Sequence, residues 1–261
     1  MTILETKDLC KVFVDGAGNR FHALKNVNIY AEDGEIVGIV GESGCGKSTF
    51  ANVIASIVKS TSGTVMFNNV NITDLNNKER KEYYKNFQMV FQSPLGTFSP
   101  KMTVGRYMIE PSLNFKLMDK ESAKHYAKKL LAAVRLDEAY MKKYPSELSG
   151  GELQRVVIAR AIGLKPKLMV FDECTSSLDV SIQQEIVNLI MELQKKRGFT
   201  IIFITHNLVL AENICDRIYV MLNGEVVDVL NKGNFQCPSH PYTKDLIGSI
   251  FTIQAQQKEE L

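Results

Sequence analysis

The residues best suited to chemistry form one run, Gly41-Glu42-Ser43-Gly44-Cys45-Gly46-Lys47-Ser48-Thr49, which has the form G-x-x-x-x-G-K-[ST]. Glycines let the backbone curve closely and point successive N–H groups at phosphate oxygens, and a helix that starts there adds partial positive charge. Lys47 can reach the β- and γ-phosphates of a nucleotide, and the Ser48 hydroxyl can bind Mg²⁺. This run, called the phosphate loop below, predicts a nucleoside triphosphate site.

A phosphate loop of this kind needs a strand before it and a helix after it. Residues 35–40 are a short apolar run rich in β-branched side chains, which predicts a buried strand. Residues 50–58 carry apolar side chains at helical spacing. This context favours a phosphate site over a chance glycine-rich turn.

Two adjacent carboxylates, Asp172 and Glu173, end a second apolar run at residues 167–173. Burying a charge is costly unless the charge is paired or bound to metal. Since the same chain carries a phosphate loop, we expect Asp172 to bind Mg²⁺ directly or through water. We expect Glu173 to orient and polarise the attacking water. The alternative is a capping pair at a strand-to-turn junction.

Gln92 and His206 also follow predicted strands, at residues 87–91 and 200–205. Ligands of α/β sheets gather at the carboxyl ends of strands, so both side chains are candidates for contact with a nucleotide. The neutral amide of Gln92 can contact both metal and water. A single histidine, in contrast, is more often structural than catalytic, and for His206 both interpretations stay open.

A second anion-binding device is predicted at Leu148-Ser149-Gly150-Gly151-Glu152, where a serine and two glycines open a helix. One phosphate loop and one further phosphate-binding helix start in the same chain suggest a dimer. Each subunit would supply its helix start to the nucleotide held by the other subunit.

The order of these motifs resembles that of the ATP-binding subunits of ABC transporters. The resemblance runs along nearly the whole chain and is carried by the phosphate loop, Gln92, residues 148–152, Asp172-Glu173, Ser177-Leu178-Asp179 and His206. It implies a head-to-tail dimer of nucleotide-binding domains that closes on two molecules of ATP. ATP and Mg²⁺ are the cofactors that it implies.

The resemblance also implies roles for the matching residues. Those that contact the nucleotide, its metal or the attacking water are Lys47 and Ser48 of the phosphate loop, the Q-loop glutamine Gln92, the signature residues Ser149, Gly150 and Gly151, the Walker B aspartate Asp172, the catalytic base Glu173, the D-loop aspartate Asp179 and the switch histidine His206. The metal would be bound by Ser48, Gln92 and Asp172. Phe13 is the candidate for the aromatic ring that stacks on adenine, and Phe21 is its rival.

A narrower resemblance is to the peptide/nickel importer subfamily. It is carried by Val90-Phe91-Gln92-Ser93-Pro94, Ser99-Pro100, Thr103-Val104 and Ser239-His240-Pro241-Tyr242-Thr243. It implies a second ATP-binding subunit, most often a different chain, together with two integral-membrane permeases and an extracellular solute-binding protein. Three residues depart from the family pattern, namely Glu152 for glutamine, Cys174 for proline and Ser177 for alanine. These departures leave open whether both sites of a heterodimer turn over equally.

The predicted fold class is α/β: a P-loop NTPase (RecA-like) core with an N-terminal antiparallel β layer and an inserted α-helical subdomain. Residues 1–250 are expected to form the nucleotide-binding domain, with the helical insertion at about 93–163, and residues 231–261 a short C-terminal tail. Within the β layer, residues 21–31 predict one strand that leads into a hairpin turn at Asp33-Gly34. Ser62-Gly63 is predicted to end the helix after the phosphate loop.

The composition is that of an ordinary globular protein, with 45% hydrophobic and 23% charged residues and a net charge of +2 over 261 residues. So small a net charge argues against a broad basic surface for nucleic acid. Five cysteines without a C-x-x-C pair disfavour a metal cluster and favour reduced thiols in a cytoplasmic compartment. Cys45 is expected to fill space, although a thiol near a helix start can gain thiolate character.

No stretch of the chain approaches the roughly 18 apolar residues that a membrane span needs, and its first residues lack the pattern of a signal peptide. We therefore expect a soluble protein that lies peripherally at the cytoplasmic face of the cell membrane, where a permease binds it.

The predicted function is that of the ATP-binding and ATP-hydrolysing subunit of an ABC importer, which powers uptake of peptides or of nickel or a metal chelate. The alternative is a soluble ABC-type ATPase that acts on nucleic acid or ribosomes. Such proteins tend to carry long coiled-coil insertions or two tandem nucleotide domains, and neither occurs in this sequence. A small P-loop kinase is a third option, but it leaves residues 148–152 and 239–243 unexplained.

Overall fold

The computed structural model describes residues 1–93, 96, 98–176, 178–235 and 237–248. The chain divides into two compact units, one formed by Met1–Leu75 with the described residues from Thr200 onward, and the other by Asn76–Phe199. The predicted domain at residues 1–250, its insertion at about 93–163 and the tail at 231–261 stay predictions. Within the part that the structure describes, no helix is both long and apolar enough to cross a membrane.

The first unit contains two β-sheets and the helix that follows the phosphate loop. Its strands and helices are β1 (Thr2–Val14), β2 (Arg20–Val27), β3 (Tyr30–Glu32), β4 (Ile36–Val40), α1 (Lys47–Ile54), β5 (Ser62–Phe67), β6 (Val70–Asn71), β9 (Thr200–Thr205), α7 (Leu208–Ile214), β10 (Arg217–Leu222) and β11 (Glu225–Asn231).

The antiparallel layer has the strand order β2-β1-β5-β6, and β3 also pairs with β1. The single strand predicted at residues 21–31 is wrong, because the chain leaves β2 at Val27 and enters β3 at Tyr30. Asn26 has a left-handed φ of 48°, and the N–H of Ile29 donates to the side-chain hydroxyl of Thr6 on β1, at 2.9 Å, instead of to a backbone carbonyl of that strand. The break lets β2 and β3 pair with different parts of β1.

Two predicted turns also differ in the structure. The turn at Asp33-Gly34 is not a hairpin, because β3 pairs with β1 whereas β4 pairs with β9 and β10 in the other sheet. Ser62 and Gly63 do not end a helix but begin β5, since α1 already ends at Ile54. The strands that pair with β3, β4 and β5 decide these boundaries, and those partner strands lie far away in sequence.

The second sheet of this unit has the order β11-β10-β4-β9. Strands β10, β4 and β9 are parallel, and every residue of β9 is buried, as expected for a strand covered on both faces. Val40 at the end of β4 pairs with Thr205 at the end of β9. The phosphate loop and His206 therefore leave the sheet at the same edge.

The second unit is mainly helical, with two paired strands. Its elements are α2 (Asn77–Asn86), β7 (Phe87–Val90), α3 (Val104–Asn114), α4 (Lys120–Ala133), α5 (Gly150–Ile162), β8 (Leu168–Asp172) and α6 (Val180–Arg197), together with short 3-10 helices at Glu138–Lys142 and Pro145–Glu147. Strands β7 and β8 are parallel, and Val90 pairs with Phe171. Gln92 and the Asp172-Glu173 pair thus follow strands that end side by side.

Sequence reasoning did not predict the helix α7 or the helical residues 241–248. Helix α7 is a short element of seven residues, and Asn207 caps it by accepting the N–H of Leu210 at 3.0 Å. An element of two turns is too short to show a clear hydrophobic period.

Candidate nucleotide site

The phosphate loop can be built only with glycine at two of its positions. Gly46 precedes α1 with a left-handed φ of 111°, and a Cβ there would lie 2.5 Å from the carbonyl oxygen of Ala23. A Cβ at Gly41 would lie 2.2 Å from the carbonyl oxygen of Met221. Both clashes are with backbone, which cannot move aside as a side chain can. The G-x-x-x-x-G spacing is therefore required by the fold.

Lys47 is buried in the first turn of α1, with 4% of its surface exposed. Its ammonium group donates to the carbonyl oxygens of Gly41 and Glu42, at 2.8 Å each. The loop thus wraps around a cation, while the adjacent Ser48 is exposed. A curved backbone around a positive charge at a helix N-terminus matches the needs of a polyphosphate.

The Cys45 thiol is buried inside this loop, with an exposed fraction of 6%. Burial raises the pKa of Cys45, and the charge of Lys47 opposes this effect only in part. The enhanced thiolate character considered from the sequence is therefore wrong, and the expectation that Cys45 fills space agrees with the structure.

The two candidates for adenine stacking, Phe13 and Phe21, lie directly opposite each other on β1 and β2. Their exposed fractions are 41% and 61%, unusually large for phenylalanine side chains. The ammonium of Lys11 lies 4.8 Å from the centre of the Phe13 ring. The structure brings both rings to one place on the sheet, so the choice between them stays a prediction.

The predicted carboxylates lie at the end of β8. Asp172 is buried, with 6% of its surface exposed, and Glu173 has a left-handed φ of 45°. Non-glycine residues adopt this conformation at a cost, and they are enriched at functional sites. The amide Nε2 of Gln92 donates to Glu173 Oε2 at 3.4 Å and to the Ser176 hydroxyl at 3.3 Å. Ser176, which sequence reasoning did not single out, donates in turn to the carbonyl oxygen of Glu173 at 2.9 Å.

The signature residues form a capped helix start at α5. The Ser149 hydroxyl accepts the N–H of Glu152 at 3.3 Å, and Glu152 Oε2 accepts the N–H of Ser149 at 2.8 Å. Glu152 Oε1 accepts a hydrogen bond from the Tyr140 hydroxyl, and this bond and the Ser149 N–H lower the pKa of Glu152. The departure from glutamine at this position therefore has a partner, Tyr140, which no sequence motif indicated.

The signature glycines lie against the segment that follows the carboxylates. A Cβ at Gly150 would lie 3.2 Å from Leu178 Cδ2, and one at Gly151 would lie 2.8 Å from Ile182 Cγ2. Asp179, which is exposed, is the N-cap residue that directly precedes α6. Pro94 of the subfamily motif and the departure at Ser177 lie outside the described residues.

Cys174, the third departure from the family pattern, is buried directly after Glu173. Burial raises the pKa of its thiol to about 12, so the side chain stays protonated and unreactive at neutral pH. Because the Cys174 thiol is buried and neutral, it adds no charge beside the carboxylates of Asp172 and Glu173.

Comparison with known proteins decides the family. Residues 24–176 match the family model described as "ABC transporter". The chain belongs to the ABC transporter family.

Close relatives of this ABC transporter chain are curated as transport proteins. The oligopeptide transport ATP-binding protein AppF of Bacillus subtilis (strain 168) is 38% identical over 257 residues, which cover 95% of this chain and 78% of that protein. The oligopeptide transport ATP-binding protein OppF of Salmonella typhimurium (strain LT2) is 39% identical over 230 residues, or 87% of this chain and 69% of that protein. Among solved structures, the ATP-binding cassette MJ0796, a dimer in a post-hydrolysis state bound to ADP and Pi, matches with a TM-score of 0.80. That match has 30% identity and covers 89% of this chain and 100% of that one.

These comparisons confirm the predicted family and the predicted α/β P-loop fold. They also confirm, at the level of the family, the prediction of an ATPase subunit of an importer, and they do not support the alternative that acts on nucleic acid or ribosomes. The roles of individual site residues, Mg²⁺, the identity of the partners and the solute stay predictions.

Proposed function

We propose that this chain binds and hydrolyses ATP as the motor subunit of an importer whose solute is a peptide or a metal chelate. Relatives named for oligopeptide transport support a peptide more than nickel. The observation that carries the proposal is the group at the end of β7 and β8, where Gln92 donates to a Glu173 held in a left-handed conformation beside a buried Asp172.

Each residue of the proposed machinery has a chemical task suited to its position. Lys47, already surrounded by loop carbonyls, exchanges them for β- and γ-phosphate oxygens, while backbone N–H groups of the loop donate to the same phosphates. Phe13 stacks on the adenine ring. Bound Mg²⁺ would neutralise charge on the phosphates. Ser48, Gln92 and Asp172 suit its preference for oxygen ligands, which are completed by phosphates and water.

Glu173 is the proposed general base, with Gln92 fixing its carboxylate through the hydrogen bond at 3.4 Å. A carboxylate aimed at water by a second side chain can accept the proton that the water loses as it attacks the γ-phosphate. His206 at the end of β9 is proposed to contact the same phosphate. In the described part of the chain, no group of three or more His, Cys, Asp or Glu side chains is placed so that it could hold a metal ion.

The active assembly is proposed to be a head-to-tail dimer at the cytoplasmic face of the membrane. Ser149, Gly150, Gly151 and Asp179 of one ATPase subunit would contact the nucleotide bound by the other, which we expect to be a different chain. Two integral-membrane permeases and an extracellular solute-binding protein would complete the importer. Closure of the dimer on ATP would drive the permeases from one conformation to another.

The test is to isolate the complex that the tagged full-length chain forms in its own membranes, reconstitute it, and measure ATP hydrolysis with added solutes. We expect integral-membrane permeases in the complex, and we expect a peptide or metal chelate, with its binding protein, to stimulate hydrolysis. Recovery of the chain with ribosomes or DNA, with no permease, would contradict the proposal.

A further inference from the structure

Residues 239–243, the part of the subfamily resemblance near the C-terminus, have no role in ATP binding or hydrolysis as proposed above. Hydrogen bonds nevertheless fix them to the first unit. The C-terminal segment, residues 237–248, is anchored by Asp228 on β11. The Asp228 carboxylate accepts the N–H of Ser239 at 2.9 Å, the hydroxyl of Ser239 at 3.0 Å and the N–H of His240 at 3.0 Å. Burial by itself would raise the pKa of Asp228, but these hydrogen bonds outweigh it and lower the pKa.

The anchored segment places Tyr242 against the phosphate loop. The N–H of Tyr242 donates to His240 Nδ1 at 3.2 Å, and the neighbouring Thr243 is fully buried. The hydroxyl oxygen of Tyr242 accepts the backbone N–H of Glu42, the second residue of the loop, at 3.2 Å. Burial raises the pKa of Tyr242, so the phenol is neutral at pH 7.

The peptide groups on either side of Glu42 are therefore held from two directions. Tyr242 binds its N–H, and Lys47 donates to its carbonyl oxygen at 2.8 Å. The N–H of Cys45 also points at this carbonyl, at 3.3 Å. The start of the loop, on which the position of the Lys47 ammonium depends, is thus linked through one hydroxyl to a segment 200 residues away.

We propose that Tyr242 is a positioning residue for the phosphate loop, which it pre-organises for nucleotide by binding the N–H of Glu42. The inference rests on the proposed function, since it assumes that the loop binds ATP. A loop that is already ordered loses less conformational entropy when a ligand binds. The C-terminal segment consequently sets the affinity for ATP without contacting it, and it has no part in the hydrolysis step.

The test uses the full-length chain and its binding of ATP with Mg²⁺, measured by calorimetric titration. Tyr242→Phe removes only the hydroxyl, and we expect the Kd for ATP to rise about 2-fold to 10-fold, the effect of one hydrogen bond. Asp228→Asn, which weakens the hydrogen bonds that hold residues 239 and 240, should also raise the Kd for ATP. Tyr30→Phe is the matched control. Tyr30 also lies in the first unit, and its hydroxyl has no hydrogen-bond partner among the described residues, since only its backbone N–H and carbonyl are bonded to Tyr219.

Two further measurements separate positioning from general destabilisation. In the isolated complex, Tyr242→Phe should raise the KM for ATP by a similar factor and leave kcat within about 2-fold, because the base Glu173 is untouched. The double variant Tyr242→Phe/Asp228→Asn should bind ATP no more weakly than Tyr242→Phe alone, since both changes act through the same hydroxyl.

An unchanged Kd in Tyr242→Phe overturns the inference, as does a fall in kcat with an unchanged KM. Additive effects in the double variant contradict the route through Tyr242. If the wild-type chain binds no ATP, the proposed function itself fails, and that result is distinct from wild-type binding that Tyr242→Phe does not alter.

Discussion

The amide of Gln92 donates to the Glu173 carboxylate at 3.4 Å, although the two residues lie 81 positions apart in the chain. Parallel pairing of β7 with β8 brings them together, since the paired residues Val90 and Phe171 each lie two positions before them. The proposed general base is therefore contacted by a side-chain amide, which carries no charge.

Replacement of Gln92 by alanine should lower kcat, while ATP binding measured without Mg²⁺ stays nearly unchanged. The Glu173 carboxylate would lose the donor that orients it, and misplacing a catalytic group by about 1 Å can cost about 100-fold in rate. We expect a decrease of about 10-fold to 100-fold in ATP hydrolysis by the complex. Gln88→Ala is the matched control, because Gln88 on β7 donates, within the part of the chain that the structure describes, to the carbonyl oxygens of Tyr84 and Phe87 and not to Glu173. Equal losses in both variants would contradict this role for Gln92.

The choice between Phe13 and Phe21 can be made with two alanine variants. Stacking of a base on an aromatic ring is worth about 1–3 kcal/mol, so loss of the stacking ring should raise the Kd for ATP by about 5-fold to 100-fold. We expect this effect for Phe13→Ala and less than about 2-fold for Phe21→Ala. The Kd for inorganic triphosphate, which lacks adenine, should be the same in both variants. The reverse order of the two ATP affinities would assign stacking to Phe21.

Acid should loosen the start of α5. The folded pKa of Glu152 lies below its ordinary value of 4.5, chiefly because Tyr140 and the Ser149 N–H bind the carboxylate. A lowered pKa means that Glu152 stabilises the helix start fully above about pH 4.5 and loses this contribution as the pH falls through the folded pKa. Loss of a helix cap lowers the stability of the helix start by about 1 kcal/mol, which corresponds to about 5-fold faster amide exchange there.

The measurement is hydrogen exchange at residues 149–153 in wild type, Glu152→Gln and Tyr140→Phe, compared at each pH so that the intrinsic rate cancels. Both variants should exchange faster than wild type at pH 7, and the difference for Glu152→Gln should vanish in acid. Tyr126→Phe serves as the control, since its hydroxyl has no hydrogen-bond partner among the described residues. If the exchange rates of wild type and Glu152→Gln differed by the same factor at every pH, the charge of Glu152 would not contribute to the stability of the helix start.

The three buried thiols and the exposed thiol of Cys237 should differ sharply in reactivity. Burial raises the pKa of Cys174 to about 12 and raises the pKa of Cys45 and Cys215 as well, whereas Cys237 is exposed. Brief alkylation of the native chain at pH 8, followed by mass spectrometry of peptides, should modify Cys237 at least 10-fold faster than the three buried thiols. Rapid alkylation of Cys45 would contradict the closed loop described above.

Local patterns in the sequence sufficed for the strand, loop and helix at residues 36–54, because the glycine spacing, the strand before it and the helix after it are all encoded within 20 residues. The same holds for the edge residues Asp172 and His206, which directly follow strongly apolar runs. The order of the motifs along the chain then carried the resemblance to a known family, and that resemblance implies their roles.

Contacts made at long range could not be predicted. Tyr140 meets Glu152 across a turn, and Tyr242 meets Glu42 over 200 residues, and in neither case does the sequence carry a periodic signal. The break between β2 and β3 likewise depends on where β1 presents its hydrogen-bonding groups, as the bond between Ile29 and Thr6 shows. These partners become visible only once the tertiary structure brings them together.

The most direct test of the proposed mechanism is Glu173→Gln in the isolated complex, with ATP hydrolysis and ATP affinity measured on the same preparation. We predict a decrease of at least about 100-fold in turnover, an unchanged or tighter Kd, and dimers of the ATPase subunits that persist in ATP. Glu121→Gln, at an exposed ion pair with Lys124, should leave all three quantities unaltered. Undiminished hydrolysis in Glu173→Gln would contradict the assignment of the catalytic base and, with it, the mechanism proposed for this chain.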